Sequence, residues 1–238
     1  MAARKPLIAG NWKMHGRRAE REAIPALAKA VGPSLAGLEV LVCPPAPYLQ
    51  AALAAAGQSG IAVGGQDCSP ERADAARTGD VSAAMLADVG ARYVIVGHSE
   101  RRALFGESDA LVRRKAEAAQ AAGLAPIVCV GETKAQREAG QAGAVVAAQI
   151  RASTPEAAGA LVVAYEPVWA IGGDRPPTMA EIEQVHALVR AELEARYGAE
   201  AGGGARALWR FGQSGQRGGD LQGPGCGRGP CGPRLPEG

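Results

Sequence analysis

The sequence predicts an α/β fold, specifically a (β/α)8 barrel of parallel strands, and three observations predict it. Short apolar runs typical of buried strands alternate strictly with Ala-rich segments of helical periodicity, and polar or Gly-rich residues follow each apolar run. Parallel strands need a crossover of about a dozen or more residues, so this alternation indicates a parallel sheet. Six strand–helix units of roughly 22 to 35 residues, projected to eight, give about the 250 residues typical of such a barrel.

The predicted strands are rich in Val, Ile, Leu and Ala, which suits strands that are buried on both faces. They lie at 6–10, 38–43, 61–65, 93–97, 125–130 and 161–165. The segments between them combine apolar residues at helical spacing with charged faces. They lie at 17–31, 48–56, 80–89, 108–122, 135–151 and 179–197. An open doubly wound sheet is the alternative, but no G-x-G-x-x-G motif follows the first strand, which weakens its nucleotide-binding form.

Composition excludes several classes of protein. The chain has 238 residues, of which 47% are hydrophobic and 21% charged, as in a globular protein. Residues 202–238 contain five Arg, with Asp220 and Glu237 as the acidic residues. Residues 1–201 contain 21 basic and 22 acidic side chains, and this balance predicts no nucleic-acid surface on that part of the chain. No apolar run approaches the roughly 20 residues that span a bilayer. The five Cys lack disulfide or zinc-type clustering. We expect a cytoplasmic protein with reduced thiols.

Three ionisable residues follow three different predicted strands: Lys13, His98 and Glu166. In a parallel barrel the carboxyl ends of all strands open on one mouth, which is where chemistry occurs, so we expect these side chains to meet there. Taken singly, each has an ordinary interpretation as a solvated Lys, a core His or a solvated carboxylate. We interpret His15 and His186 in that ordinary way, since one lies in a loop and the other on a polar helix face.

Four motifs, in this order and spacing, resemble those of the triosephosphate isomerase family. They are 10–14 (GNWKM), 96–102 (VGHSERR), 105–108 (FGES) and 164–172 (AYEPVWAIG). The resemblance covers about residues 4–200. It implies an enzyme of glycolysis and gluconeogenesis that interconverts dihydroxyacetone phosphate and glyceraldehyde 3-phosphate through an enediolate. It further implies a phosphorylated triose as substrate, with no cofactor and no metal.

The resemblance also implies a role for each matching residue. Glu166 would be the base that removes a carbon-bound proton, which requires a water-poor site. His98 would be the neutral electrophile that polarises the substrate carbonyl, and Lys13 would offset the charge of the phosphate and the enediolate. Asn11 would donate a hydrogen bond nearby. The backbone N–H of Gly172 would bind the phosphate.

Residues around these groups resemble supporting elements of the family. Ser99 and Glu100 resemble groups that hold the base and the lysine, although both could equally cap the helix that begins there. Residues 167–177 resemble a lid whose closure expels water, and its tip departs from the family's usual Ile-Gly-Thr-Gly-Lys. Asp174 in that tip places a carboxylate where the phosphate dianion is expected, which would weaken closure.

The loop 66–80 resembles one that enters a neighbouring subunit, with Gln66 and Thr78 supporting Asn11 and Lys13. The resemblance therefore implies a homodimer through this loop, and an ordinary surface turn is the alternative. Three charged residues are expected to form structural ion pairs rather than to contact substrate: Arg101, Arg102 and Glu107.

The family pattern stops after about residue 201. Residues 202–238 contain 13 of the 33 Gly and no Val, Ile or Thr, so we expect no buried strand there. We divide the chain into an isomerase domain, 1–201, and an aberrant tail, 202–238, and strands 7 and 8 are not supported. Losing two strands would expose about ten aliphatic side chains at roughly 1.5–3 kcal/mol each, more than the about 5–15 kcal/mol that stabilises a domain. We predict a poorly stable, nearly inactive chain.

One hypothesis is that the tail is family sequence translated in a shifted frame, with the slip near 200–204. Residues 208–213 can be encoded CTA TGG CGG TTC GGT CAA, and reading from the second base gives the family's missing Tyr-Gly-Gly-Ser-Val. Codons allowed from Asp220 onward give its missing Gly-rich motif in the same register. A genuine Arg/Gly-rich tail that binds RNA or a partner is the alternative. A catalytically dead relic that binds phosphate or a partner, and a scaffold that acts through the tail, also remain open.

Overall fold

Seven parallel strands, joined by helices, follow one another in chain order across a single sheet. The computed structural model describes residues 6–17, 22–31, 37–171, 173, 175–198 and 205–209. The strands are β1 (Leu7–Asn11), β2 (Glu39–Cys43), β3 (Ala62–Gly65), β4 (Tyr93–Val96), β5 (Ala125–Val130), β6 (Leu161–Tyr165) and β7 (Ala205–Trp209). Each strand pairs with the next one along the chain, which is the strand order of a (β/α)8 barrel.

Helices occupy the crossovers between these strands. They are α1 (Ala23–Val31), α2 (Leu49–Ala56), α3 (Ala83–Asp88), α4 (Ser99–Phe105), α5 (Asp109–Ala121), α6 (Lys134–Glu138), α7 (Ala142–Ser153) and α8 (Met179–Tyr197). Four of them begin at a Ser or Thr whose hydroxyl accepts a backbone N–H of the first turn: Ser82, Ser108, Thr133 and Thr178. Such caps satisfy N–H groups that the helix itself leaves unpaired.

Alternate side chains of each strand enter two separate apolar layers, as the period of two along a strand requires. Val40 and Val42 of β2 pack with the helices in a large core that also contains Ile150 of α7. Leu41 and Cys43 of the same strand belong to a smaller cluster formed by strand residues. Burial on both faces explains why these strands consist of near-continuous apolar runs.

The six strands predicted from the sequence are confirmed within a residue or so at their ends, and the predicted helices are confirmed with one change. The segment 135–151 forms two helices, α6 and α7, rather than one. The break lies at Gly140, whose φ of +71° is a left-handed conformation that glycine adopts without strain. The helix predicted at 17–31 is described from Ala23.

The prediction that no strand forms within 202–238 is wrong for Ala205–Trp209. This segment pairs with β6 in parallel, from Leu161 opposite Ala205 to Tyr165 opposite Trp209. Strand formation depends on context more than on composition, and the open edge of β6 offers a ladder to a segment that contains neither Gly nor Pro. The predicted domain boundary after residue 201 stays a prediction, because only 205–209 of the following segment are described.

The outer edge of β1 marks where the sheet stops. Among the described residues, no strand pairs with this edge. Ile8 on β1 is 57% exposed, which is unusual for an Ile in a barrel strand. Within the same residues, no helix combines the length and the apolar character that crossing a membrane requires.

Candidate active site

His98 and Glu166 follow β4 and β6, and their side chains meet at the carboxyl end of the sheet. The Nε2 atom of His98 lies 2.8 Å from Oε1 of Glu166. The backbone N–H of Ser99 donates to the other carboxylate oxygen, Oε2, at 2.9 Å. His98 is 3% exposed and Glu166 4%, so both polar groups lie in a nearly water-free environment. Two donors for one buried carboxylate offset much of the cost of its burial.

The hydrogen bonds of His98 define which ring nitrogen carries a proton. The backbone N–H of Glu100 donates to Nδ1 at 3.2 Å, in the geometry of a helix N-cap at the start of α4. A nitrogen that accepts a hydrogen bond has no proton of its own, so the neutral imidazole carries its proton on Nε2. That proton points at Glu166. His98 is therefore an uncharged donor beside a carboxylate.

Lys13 adopts a strained backbone conformation that other residues hold in place. Its φ is +52°, the one positive value at a non-glycine position in the described part of the chain. Its N–H donates to Oδ1 of Asn11 at 2.8 Å. The Nε2 group of Gln66 donates to the carbonyls of both Lys13 and Cys43 at 2.9 Å. Gln66 thus supports Lys13 from within its own chain.

The Glu100 carboxylate lies between the lysine and the histidine and pairs with the lysine. The Nζ atom of Lys13 lies 2.5 Å from Oε1 of Glu100, and Oε2 of the same carboxylate is 3.5 Å from Nδ1 of His98. Asn11, Lys13, His98 and Glu100 line one cavity of about 470 Å³, a volume suited to a small ligand. The structure therefore brings the three predicted groups Lys13, His98 and Glu166 to one site, together with Asn11, Ser99 and Glu100.

A buried cluster of charges forms another wall of this cavity. Lys115 Nζ lies 2.8 Å from Asp67 and 2.6 Å from Glu107, and Arg101 Nε lies at the same two distances from these carboxylates. Burial raises the pKa of Asp67. Burial also acts against charged Glu107, but hydrogen bonds from Lys115 and Arg101 outweigh it and lower its pKa. Burial raises the pKa of the neighbouring Cys68 thiol to about 12, so this thiol stays protonated.

The predicted ion pairs are confirmed, whereas the centre of the cluster was not predicted. Arg101 pairs with Glu107, and Arg102 pairs with Asp109 at 2.5 Å. Lys115 was missed, although its position carried a signal. It lies one helical turn after Val112 on a face of α5 that is otherwise apolar, so a charge there requires buried partners.

A second buried group lies behind Glu166. Glu132 is fully buried and accepts hydrogen bonds from the Tyr165 hydroxyl at 3.0 Å and from Arg137 at 2.9 Å. Burial first, and then the Glu132 charge, raise the pKa of Tyr165, so this phenol remains a neutral donor. Tyr165, the residue immediately before Glu166, is thereby bonded to Glu132, which follows the end of β5. In the sequence, Glu132 is distinguished only as one of the polar residues that follow a predicted strand.

Two predicted features of the lid, Gly172 and Asp174, lie outside the described residues. The described neighbours show a short turn of 3-10 helix at Val168–Ala170 directly after Pro167. In the loop 66–80, Gln66 contacts Lys13 as above, whereas Thr78 is exposed.

Known proteins similar to this chain identify its family. The family model of triosephosphate isomerase matches residues 6–208. The chain belongs to the triosephosphate isomerase family. Residues 209–238 lie outside the match.

Curated triosephosphate isomerases resemble the chain over most of its length. The chain is 55% identical to triosephosphate isomerase of Afipia carboxidovorans over 207 residues, which cover 86% of this chain and 82% of the relative. It is 50% identical to that of Xanthobacter flavus over 206 residues, 85% of this chain and 81% of the relative. The crystal structure of triosephosphate isomerase from Bartonella henselae superimposes with a TM-score of 0.77 at 39% identity, covering 86% of this chain and 82% of the other.

Proposed function

We propose that the chain interconverts dihydroxyacetone phosphate and glyceraldehyde 3-phosphate by proton transfer through an enediolate. The observation that carries this proposal is the 2.8 Å contact between the buried Glu166 carboxylate and the Nε2 of His98, beside a cavity that Lys13 enters. A base, an uncharged donor and a cation at one site are the groups that this reaction needs.

In the proposed reaction, Glu166 takes a proton from C1 of dihydroxyacetone phosphate. The Nε2–H of His98 hydrogen-bonds the C2 carbonyl oxygen, which gains negative charge as the enediolate forms. Glu166 then returns the proton to C2, while the hydroxyl proton moves between the two oxygens, and glyceraldehyde 3-phosphate results. Because Nε2 of His98 contacts Glu166 in the ligand-free site, the substrate oxygen has to displace the carboxylate from that contact.

Lys13 and Asn11 are proposed to bind the substrate. The Lys13 ammonium is paired with Glu100 at 2.5 Å, and a phosphate dianion in the cavity would compete for it. The strained Lys13 backbone is held by its N–H bond to Asn11 Oδ1 and by the bond that Gln66 donates to its carbonyl, so the cation is positioned before substrate arrives. Ser99 is proposed to hold Glu166 through its backbone N–H, and Glu100 to hold Lys13.

A homodimer formed through the loop 66–80 is also proposed. Residues 72–80 are exposed, and the neighbouring cavity has an apolar edge on which Met14 is 96%, Leu104 77% and Phe105 67% exposed. Large exposed apolar side chains grouped in this way are typical of a protein–protein interface. We propose a second copy of this chain as the partner and the cytoplasm as its location.

The activity of this particular chain is proposed to be low. The family match ends at residue 208, and β1 has an open edge in the part of the chain that the structure describes. Barrel closure requires a neighbour for that edge. A dehydrogenase-coupled assay of the purified chain, with each triose phosphate in turn, tests the function. A slow rate that scales with enzyme concentration supports a weakened enzyme, whereas no rate at high concentration supports a catalytically dead relic.

A further inference from the structure

A network of ion pairs and cation–π contacts holds Trp169, in the segment that follows Glu166. Trp169 lies three residues after this carboxylate, and two guanidinium groups stack against its indole ring. The Cζ atoms of Arg137 and Arg175 each lie 4.8 Å from the ring centroid. Cation–π contacts of this kind hold an aromatic ring at one position.

One carboxylate, that of Glu181, binds both guanidinium groups. Arg175 makes a bidentate pair with it at 2.8 and 2.9 Å, and Arg137 approaches the same carboxylate at 2.9 Å. Glu181 also accepts the backbone N–H of Thr178 at 2.7 Å as part of the capping box of α8. The Glu181 carboxylate therefore binds both the start of α8 and the two guanidinium groups that stack on Trp169.

The network of contacts also reaches β6, the strand directly before Glu166. Arg137 also donates to the buried Glu132, which accepts the hydroxyl of Tyr165, the residue next to Glu166. Gly173 lets the chain turn back towards Trp169, because a Cβ at this position would lie 2.5 Å from the Trp169 carbonyl oxygen. Arg137 thus links Tyr165, through Glu132, with Thr178, through Glu181.

We propose that Glu181 is a positioning residue that, through Arg137 and Arg175, holds Trp169 and the segment after Glu166 in the ligand-free arrangement. In this arrangement Glu166 is bonded to Ser99 and His98. If the base has to leave these contacts to reach a substrate carbon, as the proposed function requires, a contact that stabilises only the ligand-free arrangement opposes ligand binding. Removing the contact shifts the population towards the ligand-binding arrangement.

The test uses Glu181→Gln in the full chain, since Gln at this position keeps the capping box while losing the charge. We expect the dissociation constant of 2-phosphoglycolate, a planar carboxylate that mimics the enediolate, to fall about twofold to fivefold. This range follows from the strength of partly exposed ion pairs. Arg175→Lys, which keeps the charge but loses the bidentate fork, is expected to give a smaller decrease. A variant that merely damaged the fold would bind the analogue more weakly.

Glu192→Gln is the matched control. Glu192 lies on the same helix and makes a bidentate pair with Arg151 at 2.6 and 2.7 Å, remote from Trp169 in sequence and in contacts. Unchanged or weaker analogue binding by Glu181→Gln, or an equal change in Glu192→Gln, overturns the proposal.

Amide hydrogen exchange without ligand separates this proposal from the proposed function. In peptides covering 163–171, Glu181→Gln is expected to exchange faster than both the parent chain and Glu192→Gln. If the parent neither turns over triose phosphate nor binds the analogue, the proposed function fails. Exchange then still decides the positioning role: equal exchange in Glu181→Gln and Glu192→Gln contradicts it.

Discussion

Glu166 and His98 share a 2.8 Å contact in which both side chains are almost completely buried. The two residues lie 68 positions apart in the chain and follow β4 and β6, which are separated by β5, so the order of the parallel strands brings them together. The Nε2 of His98 and the Ser99 N–H each lie at one oxygen of this buried carboxylate and offset part of the cost of removing it from water. This arrangement also means that Nε2 of His98 is already in contact with the proposed base before any substrate is bound.

Glu166→Gln is the direct test of that base. The carboxamide keeps the shape of the side chain but cannot accept the carbon-bound proton, so kcat is expected to fall by about 10² to 10⁴. KM should change little, because the amide does not bind the phosphate. Steady-state kinetics in both reaction directions measure the effect, and Glu192→Gln serves as the control for a surface Glu. A kcat within about tenfold of the parent would require a different base.

Lys115→Met tests the buried charge cluster. The substitution preserves the length of the side chain but leaves Asp67 and Glu107 with Arg101 as their one shared cation. One carboxylate charge in the cluster is then uncompensated, which is expected to cost about 3–5 kcal/mol of unfolding free energy. Urea unfolding followed by circular dichroism measures the loss, and a chain that no longer folds would agree with it. Lys29→Met, at an exposed position on α1, is the control. A loss below about 1 kcal/mol would indicate that Arg101 alone neutralises both carboxylates.

Most of the sheet and the main site residues could be predicted because they follow from local pattern and topology. A strand buried on both faces needs a continuous apolar run, such as 161–165, and no partner has to be known. Once the strands are parallel, Lys13, His98 and Glu166 must lie at the same end of the sheet, because each follows the carboxyl end of a strand.

The features that the sequence did not reveal depend on distant partners. β7 forms because β6 presents an open edge, and nothing in Ala205–Trp209 itself specifies that neighbour. Lys115 is stable in a buried position only because Asp67 and Glu107 come from other segments. The break at Gly140 likewise depends on packing, since an isolated Gly is also tolerated inside a helix.

The apolar edge formed by Met14, Leu104 and Phe105 predicts that Leu104→Glu disrupts the proposed homodimer. A charge placed in a desolvated interface has no partner there, so the variant should sediment as a monomer at concentrations where the parent is dimeric. Analytical ultracentrifugation over a concentration series measures this. Met179→Glu is the control, because Met179 is also an exposed apolar residue, at 63%, but lies at the start of α8. A parent chain that is monomeric throughout would contradict the interface.

Acid is expected to remove the stabilisation that Glu181 provides. Hydrogen bonds from Arg175, and then from Thr178 and Arg137, lower the pKa of Glu181 below its usual 4.5. Because the folded-state pKa is depressed, the contribution is fully present above about pH 4.5 and decreases as the pH falls below that value. The melting temperature of the parent should therefore exceed that of Glu181→Gln at pH 6, and the difference should shrink towards pH 3.

Salt provides the control for this pH effect. Arg175 is more than half exposed, so 0.5 M NaCl should reduce the difference in melting temperature between the parent and Glu181→Gln at pH 6. A difference that stays constant from pH 6 to pH 3, or that salt leaves unchanged, would show that the charge of Glu181 is not responsible.

The tail provides the prediction with the largest expected effect. If residues after 200–204 result from a shifted frame, the gene across codons 195–238 should read as Tyr-Gly-Gly-Ser-Val and the second Gly-rich motif from one alternative register. A chain rebuilt in that register would gain a strand for the edge of β1 that is open among the described residues. It would also gain about three backbone donors for the phosphate, each contributing roughly 1.5–3 kcal/mol. We expect it to melt cooperatively and to exceed the present chain in kcat/KM by more than about a hundredfold. Codons that cannot be re-read in this way would exclude the shifted frame. The alternative, a tail that binds a partner, would be excluded if deletion of 202–238 left partner binding unchanged.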